Sequence, residues 1–285
     1  MIWKPIADKT FFLAESALYD PFRKCYFFVD IFDGTLYQYQ NGALRDWHFD
    51  CILSACLLTE DGALVLATQR GIGLFDPDTG RFTKKVHPNA PFETQTRYND
   101  CKCDPAGRLL AGTMDLHGAS GQGKLYSIGP NWQASLLLDR VDYSNGIVWL
   151  GDAMYYTDTY SGNVYRFTYD LTAGTCGKKE VLCTFPAGQP DGMAADGNGM
   201  LWIALWGGHG LAQVDPATGT ILRRVPLPVP VVSSLCFGPH GQVLVTTARK
   251  DMTPAELERY PLAGSVFLGT LEVPGAPFFS YRPEA

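Results

Sequence analysis

Six polar residues stand five positions ahead of a tight turn, and four of them carry a carboxylate or carboxamide oxygen. Glu15 precedes Asp20-Pro21, Ser54 precedes Thr59-Glu60-Asp61-Gly62, and Asn99 precedes Asp104-Pro105-Ala106-Gly107. Asn145 precedes Leu150-Gly151, Asp191 precedes Asp196-Gly197-Asn198-Gly199, and Ser233 precedes Gly238-Pro239-His240-Gly241. A residue that recurs at one phase of a repeat recurs at one place in space. Arranged about an axis, these side chains form a ring whose oxygen-bearing members converge. Converging carboxylates without a Lys or Arg between them repel, so a cation is their natural partner. Carboxylates with amide oxygens suit Ca²⁺, Mg²⁺ or Mn²⁺ better than a structural zinc. A single Asn or Asp near a strand end is ordinarily a turn former; the shared phase is what argues for more.

The neighbours of the ring add a guanidinium and two glycines. Arg97 stands two residues before Asn99, on the same face of an extended strand. There it can take hydroxyl, carbonyl or carboxylate oxygens of a substrate; an ion pair with Asp100 or Glu93 is the plainer alternative. Gly146 and Gly192 directly follow ring residues and permit close backbone approach. Trp206-Gly-Gly-His209-Gly reads as a loop at the channel mouth, with His209 a candidate substrate contact. Cys101 and Cys103 share a strand face and read as packing. Asp76-Pro-Asp-Thr-Gly80 lacks the closing Glu of a Ca²⁺ loop and reads as a turn. The chain has no Gly-x-Ser-x-Gly elbow, no His-Glu-x-x-His and no Walker A loop, and its five histidines are scattered.

The elements that must position this ring are strands. Cys25-Tyr-Phe-Phe-Val-Asp30, Leu64-Val-Leu-Ala-Thr68, Met154-Tyr-Tyr-Thr-Asp158 and Val243-Leu-Val-Thr-Thr247 are β-branched and aromatic runs bounded by turn residues. They recur in sets of ring residue, strand, Gly-containing turn, strand, loop and strand, with a period of about 40 to 47 residues, the range of four-stranded propeller blades. Six such units fill residues 1–285 as a single domain. The expectation is an all-β, six-bladed propeller of four-stranded antiparallel blades. Residues 2–7 and a final strand near 277–281 are expected to close the ring together. Thr253-Pro-Ala-Glu256 is a capping-box pattern, opening a short helix through Tyr260 inside the sixth unit.

Composition narrows the function classes. Charged residues are only 18% and hydrophobic ones 46%, which favours a packed core over disorder. A net charge of −6 with no basic run longer than two residues argues against nucleic acid. No apolar stretch approaches the roughly 20 residues of a membrane span. The N-terminus lacks the pattern of a signal peptide, so the eight cysteines read as free thiols in a reducing cytoplasm rather than disulfides.

Glu15-Ser-Ala-Leu-Tyr-Asp-Pro21, Arg97-Tyr-Asn-Asp-Cys-Lys-Cys-Asp-Pro-Ala-Gly-Arg108 with Gly112-Thr-Met114, Ser144-Asn-Gly146, Pro190-Asp-Gly-Met193 and Leu201-Trp-Ile-Ala-Leu-Trp-Gly-Gly208 resemble the SMP-30/gluconolactonase/regucalcin family over nearly the whole chain. The segment from Thr246 to Gly264 is similar to bacterial sugar lactonases of the xylonolactonase type. The resemblance implies a six-bladed propeller with one divalent cation in its axial channel, held by Glu15, Asn145 and Asp191. It implies Arg97 and Asn99 as substrate contacts, with Asn99 close to the metal. Ser54 and Ser233 then line the channel without ligating. Two departures stand out. Glu-Ser-Ala replaces the usual Glu-Gly-Pro around Glu15. Asp115, Leu116 and His117 stand where animal members place an acidic substrate contact, making His117 a candidate contact and leaving the sugar open. The expected reaction is hydrolysis of an aldono- or aldaro-lactone, with Asp191 as general base. A metal-dependent esterase of other esters and a calcium-binding regulatory or interaction propeller are the alternatives. The expected cation is Ca²⁺, with Zn²⁺, Mn²⁺, Mg²⁺ or Fe(II) also suited to such a site. Oligomeric state is left open.

Overall fold

The computed structural model describes residues 2–284. Its strands form six four-stranded sheets with antiparallel pairing throughout. Their innermost strands are Ala14–Asp20, Leu53–Leu58, Thr96–Cys103, Ser144–Leu150, Gln189–Ala195 and Val232–Phe237, of blades 1 to 6 in turn. Each packs beside the next, and the sixth packs beside the first, so the sheets close a ring. The fold is the six-bladed β-propeller expected from the repeat.

Burial explains the strand sequences. In blade 2 the second strand, Leu64–Thr68, is buried throughout, whereas the outermost, Arg81–Val86, is exposed or half-buried. Both faces of an inner strand meet a neighbouring blade, so inner strands read as continuous apolar runs. Leu13, Phe27 and Leu36 of blade 1 pack on Leu53, Leu66 and Phe75 of blade 2 in one such seam.

The turns that set the repeat's phase are held by buried carboxylates. Asp104 accepts from the backbone N–H groups of Ala106 and Arg108, from Arg108 Nη1 at 2.6 Å and from the Tyr169 hydroxyl of blade 4 at 2.8 Å. Asp196 accepts from Asn198 N, Met200 N, Trp202 Nε1 and Gln213 Nε2. Each of these aspartates is at most 1% exposed, and removing one would orphan several donors at once.

Ring closure differs in part from the expectation. The N-terminal strand Lys4–Pro5 is the outer edge of blade 6, but its partner is Phe267–Thr270. Residues 277–281 add no strand to that sheet. Its fourth place is already taken, and Pro274 and Pro277 lack the N–H groups a ladder needs. The segment instead crosses the mouth of the channel far from the ring residues. Ala276 N donates to Ala195 O of blade 5, Tyr281 N to Leu58 O of blade 2 and Arg282 N to Gly107 O of blade 3. Blades 5 and 2 stand opposite one another, so the strap spans a diameter. Tyr281 is fully buried, and its hydroxyl donates to Gly129 O at 2.6 Å.

The capping box is present. Glu256 N donates to Thr253 Oγ1, Thr253 N donates to the Glu256 carboxylate, and helix Pro254–Arg259 follows between the second and third strands of blade 6. All eight cysteines are free, and Cys101 and Cys103 lie in the core as expected. Among the described residues no helix is long and apolar enough to cross a membrane.

Candidate active site

In all six blades the pairing of the innermost with the second strand slips by one residue at or beside the ring position. Asn99 and Asp100 stand against Gly112 alone, Asn145 and Gly146 against Thr157, and Asp191 and Gly192 against Ala204. Ser54 and Ser233 are single extra residues, and in blade 1 the slip falls one place later, at Ser16 and Ala17. A bulge bends its strand and re-aims a side chain; six bulges at one level turn six strand starts towards the axis. At Ser16 the backbone takes φ +54°, a left-handed conformation that glycine adopts more readily. Its hydroxyl accepts from Cys56 N at 2.9 Å, holding the departure from Glu-Gly-Pro in place. The glycines allow the strands to crowd: a Cβ on Gly146 would lie 2.5 Å from Asp191 O, and one on Gly192 would lie 2.8 Å from Ser233 O.

A one-way relay of hydrogen bonds orients the amides. Arg97 Nη1 donates to Asn99 Oδ1 at 2.6 Å, Asn99 Nδ2 to Asn145 Oδ1 at 2.6 Å, Asn145 Nδ2 to Thr159 Oγ1 at 2.6 Å, and Thr159 Oγ1 to Pro190 O at 2.8 Å. Asn145 is thereby held with its oxygen on the Asn99 side. Asn99 turns its oxygen to the guanidinium and its N–H groups to Asn145 and Ser144 O. Arg97 also donates to Tyr98 O; its partners are these acceptors rather than Asp100 or Glu93. Ser54 Oγ and Ser233 Oγ donate to Tyr98 O and Ala14 O of the adjoining innermost strands, both at 2.6 Å. Those two ring members tie blades together.

The electrostatics are those of a crowded anionic cluster. Burial, then the Asp100 carboxylate, pushes Glu15 up from 4.5 to about 8. Burial, then Glu15 and Asp100, raises Asp191 well above the usual carboxylate range. Asp100 is raised by burial as well. Burial lowers Arg97 to about 10, opposed by Glu15 and Asp191. Glu15 keeps one hydrogen bond, from Ser16 N at 2.8 Å. Asp191 Oδ1 is buried with no hydrogen-bond partner, an unusual state for a carboxylate oxygen.

Glu15, Arg97, Asn99, Asn145 and Asp191 line one cavity of about 510 Å³ at the near mouth of the channel, and His117 lies on its wall. His209 is elsewhere: it is exposed and packs beside Tyr260, ring centroids 5.5 Å apart. Trp206 of the same loop does line the cavity. Asp115 is occupied in its own loop, accepting from His117 N and Ala119 N. Among the described residues no three His, Cys, Asp or Glu form a metal-binding group; the cluster here has two carboxylates and takes its third oxygen from an amide. Sequence reasoning missed Thr159, Phe32, Tyr143, Tyr160, Gln189, Lys250 and Asp251, which also line the cavity. A signal existed for three wall residues: Phe32, His117 and Tyr160 each stand two places past the end of their blade's second strand.

The sequence pattern of the SMP-30/gluconolactonase/LRE-like region matches residues 13–249. The Bacillus subtilis (strain 168) protein YvrE, provisionally named a sugar lactone lactonase, is 31% identical over 277 residues, 94% of each chain. Rabbit (Oryctolagus cuniculus) regucalcin is 40% identical over 197 residues, which are 65% of this chain and 66% of its own. A crystal structure from Agrobacterium tumefaciens, described as the calcium-binding protein regucalcin, superposes with a TM-score of 0.93 at 25% identity, covering 99% of this chain and 97% of that one. With that pattern matching most of the chain and a relative 31% identical over 94% of it, this chain belongs to the SMP-30/gluconolactonase/LRE-like family.

Proposed function

We propose that the chain hydrolyses a sugar lactone, an aldono- or aldaro-lactone, to the open-chain acid, using one divalent cation held by Glu15, Asn145 and Asp191. The observation that carries this is the unpartnered, buried Asp191 Oδ1 in a cluster where burial and neighbouring carboxylates raise both Glu15 and Asp191. A buried carboxylate oxygen with no donor is a cost unless a cation meets it. The donors are all oxygen, which suits Ca²⁺, Mn²⁺ or Mg²⁺ and also admits Zn²⁺ or Fe(II).

When bound, the cation would supply Lewis acidity towards the lactone carbonyl or an attacking water. Asp191 accepts the proton of that water as its oxygen adds to the carbonyl carbon. Arg97, fixed by Asn99 and Tyr98 O, directs its remaining N–H groups at sugar hydroxyls and at the developing oxyanion. The N–H groups of Asn99 hold Asn145, so Asn99 positions a ligand as well as the substrate. Collapse of the adduct breaks the ring C–O bond, and the freed alkoxide takes back a proton.

The test is acid release at constant pH from pentono-, hexono- and aldaro-lactones, with cation-loaded and chelated protein. We expect turnover only when loaded, and a loss of at least about a hundredfold in Asp191→Ala. Near-normal hydrolysis by that variant would overturn the assignment. A second reading, cation binding without turnover, draws on the description of the Agrobacterium relative as calcium-binding. Tight cation binding with no acid from any lactone would favour it.

A further inference from the structure

A second cavity lies on the far side of the ring, between the ring residues and the strap that crosses the distal mouth. Each of the six innermost strands runs on from its ring position to line it, and strap residues Phe278 and Phe279 cover it. Most of the lining is apolar, as with Val148, Met193 and Leu235. Its polar members are Ser16, Tyr19, Trp149, four cysteines and Lys102. The Ser16 hydroxyl is engaged with Cys56 N, and Trp149 packs its ring on Tyr169 within the core of blades 3 and 4. Burial raises Tyr19 and holds the thiols of Cys56, Cys101, Cys103 and Cys236 well above their ordinary range, so all five stay neutral. Lys102 is the one charged residue in the lining. Its charge acts on Asp100 and Glu15 through space, with no ion pair or hydrogen bond among the described residues. It is felt by Cys56 of blade 2 and also by Cys236 of blade 6, which faces blade 3 across the ring. The ammonium is therefore central to the channel rather than shut in one seam.

An ammonium in a largely apolar cavity calls for an anion in contact with it. The volume, about 130 Å³, is close to the roughly 150 Å³ of an apolar protein cavity that admits benzene. The innermost strands have a sheet partner on one side only, so their free edges turn backbone N–H groups to the axis as further donors. Entry runs under the strap. Its residues 277–280 have no backbone hydrogen bond among the described residues, and Phe278 is 46% and Phe279 38% exposed. A segment with so few bonds opens locally at low cost. We propose that this distal cavity is a second ligand site, for a small monocarboxylate with an apolar body, its carboxylate on Lys102 and its body against the apolar lining beneath Phe278. The site is separate from the cation cluster, and the proposal does not depend on the lactonase reading.

The probe is benzoate, with benzyl alcohol as its uncharged counterpart, each titrated by calorimetry into the full chain. Benzoate should bind in the millimolar range or tighter. Benzyl alcohol should bind at least about tenfold more weakly, the weight of one charge-assisted hydrogen bond. Lys102→Met keeps the length of the side chain and removes its charge, and should weaken benzoate by about tenfold or more. Lys102→Arg should recover most of that loss. No binding at millimolar concentration, equal binding of acid and alcohol, or a benzoate affinity unchanged in Lys102→Met overturns the proposal. Crystals soaked in benzoate give a readout that needs no variant. Density under the strap with its carboxylate at Lys102 supports the site; benzoate found only at Arg97, or nowhere, overturns it.

Discussion

Replacing Glu15 with Gln should stabilise the cation-free protein at alkaline pH while abolishing its response to cation. Burial and Asp100 raise Glu15 from 4.5 to about 8. A carboxyl whose pKa is raised by folding holds a proton in the folded chain that the unfolded chain has lost. Its stabilising effect is therefore complete below pH 4.5 and lost as pH rises towards 8. The shift, 8 − 4.5, sets a ceiling of roughly 5 kcal/mol at about 1.36 kcal/mol per pH unit. Water in the open cavity and coupling to Asp191 reduce this to about 1–3 kcal/mol. In a chain of this size that corresponds to roughly 2–6 °C in Tm. The carboxamide oxygen can still accept from Ser16 N, so the backbone need not move. The assay is thermal unfolding of chelated wild type and Glu15→Gln at pH 5 and pH 8. The gap between the two, in which groups common to both cancel, should be small at pH 5 and favour the variant at pH 8. Added Ca²⁺ or Mn²⁺ should raise the wild-type Tm and leave the variant's unchanged. A variant less stable than wild type at pH 8, or a gap that does not change with pH, would refute the argument from mutual repulsion.

Other perturbations probe the frame around the site. Gly146→Ala places a methyl 2.5 Å from Asp191 O and 2.8 Å from both Met193 Cβ and Thr157 Oγ1; we expect a loss of about 1–3 kcal/mol in urea unfolding and weaker cation binding. Tyr281→Ala removes a fully buried ring from the strap and should cost about 3–5 kcal/mol, whereas Tyr281→Phe, which loses only the hydroxyl's bonds to Gly129 O and Pro130 O, should cost about 1 kcal/mol. Arg97→Lys keeps the charge but not the planar guanidinium whose Nη1 serves both Asn99 Oδ1 and Tyr98 O. It should lower kcat/KM for a hydrolysed lactone by about tenfold to a hundredfold with little change in Tm.

The sequence was most informative where the chain repeats. The Asp-Pro and Asp-Gly turns five residues below the ring are legible because each carboxylate must satisfy its own turn, as Asp104 and Asp196 do. That fixed spacing made the ring readable, and with it the convergence of Glu15, Asn99, Asn145 and Asp191. The bulges that aim those residues were not legible, because a one-residue slip leaves the apolar pattern of strands buried on both faces unchanged. Closure was half readable: an N-terminal strand joins the last sheet, but Pro274 and Pro277 should have argued that the tail runs across the ring instead of along it. His209, expected at the channel mouth, lies outside the cavity lining and packs against Tyr260, because loop orientation follows from tertiary packing. The cavity's aromatics were missed although Phe32 and Tyr160 share a phase two places past their second strands, because a single turn aromatic does not disclose which way it faces, and Tyr143, in the connection before its blade's innermost strand, lies outside that phase.

The central claim is that one divalent cation lies among Glu15, Asn145 and Asp191. Anomalous diffraction from crystals soaked in Mn²⁺ tests it without reference to any substrate. The account predicts one strong peak in the axial channel between those three side chains, abolished in Asp191→Ala. A peak elsewhere in the molecule, or none at the ring under conditions where calorimetry detects binding, would contradict it.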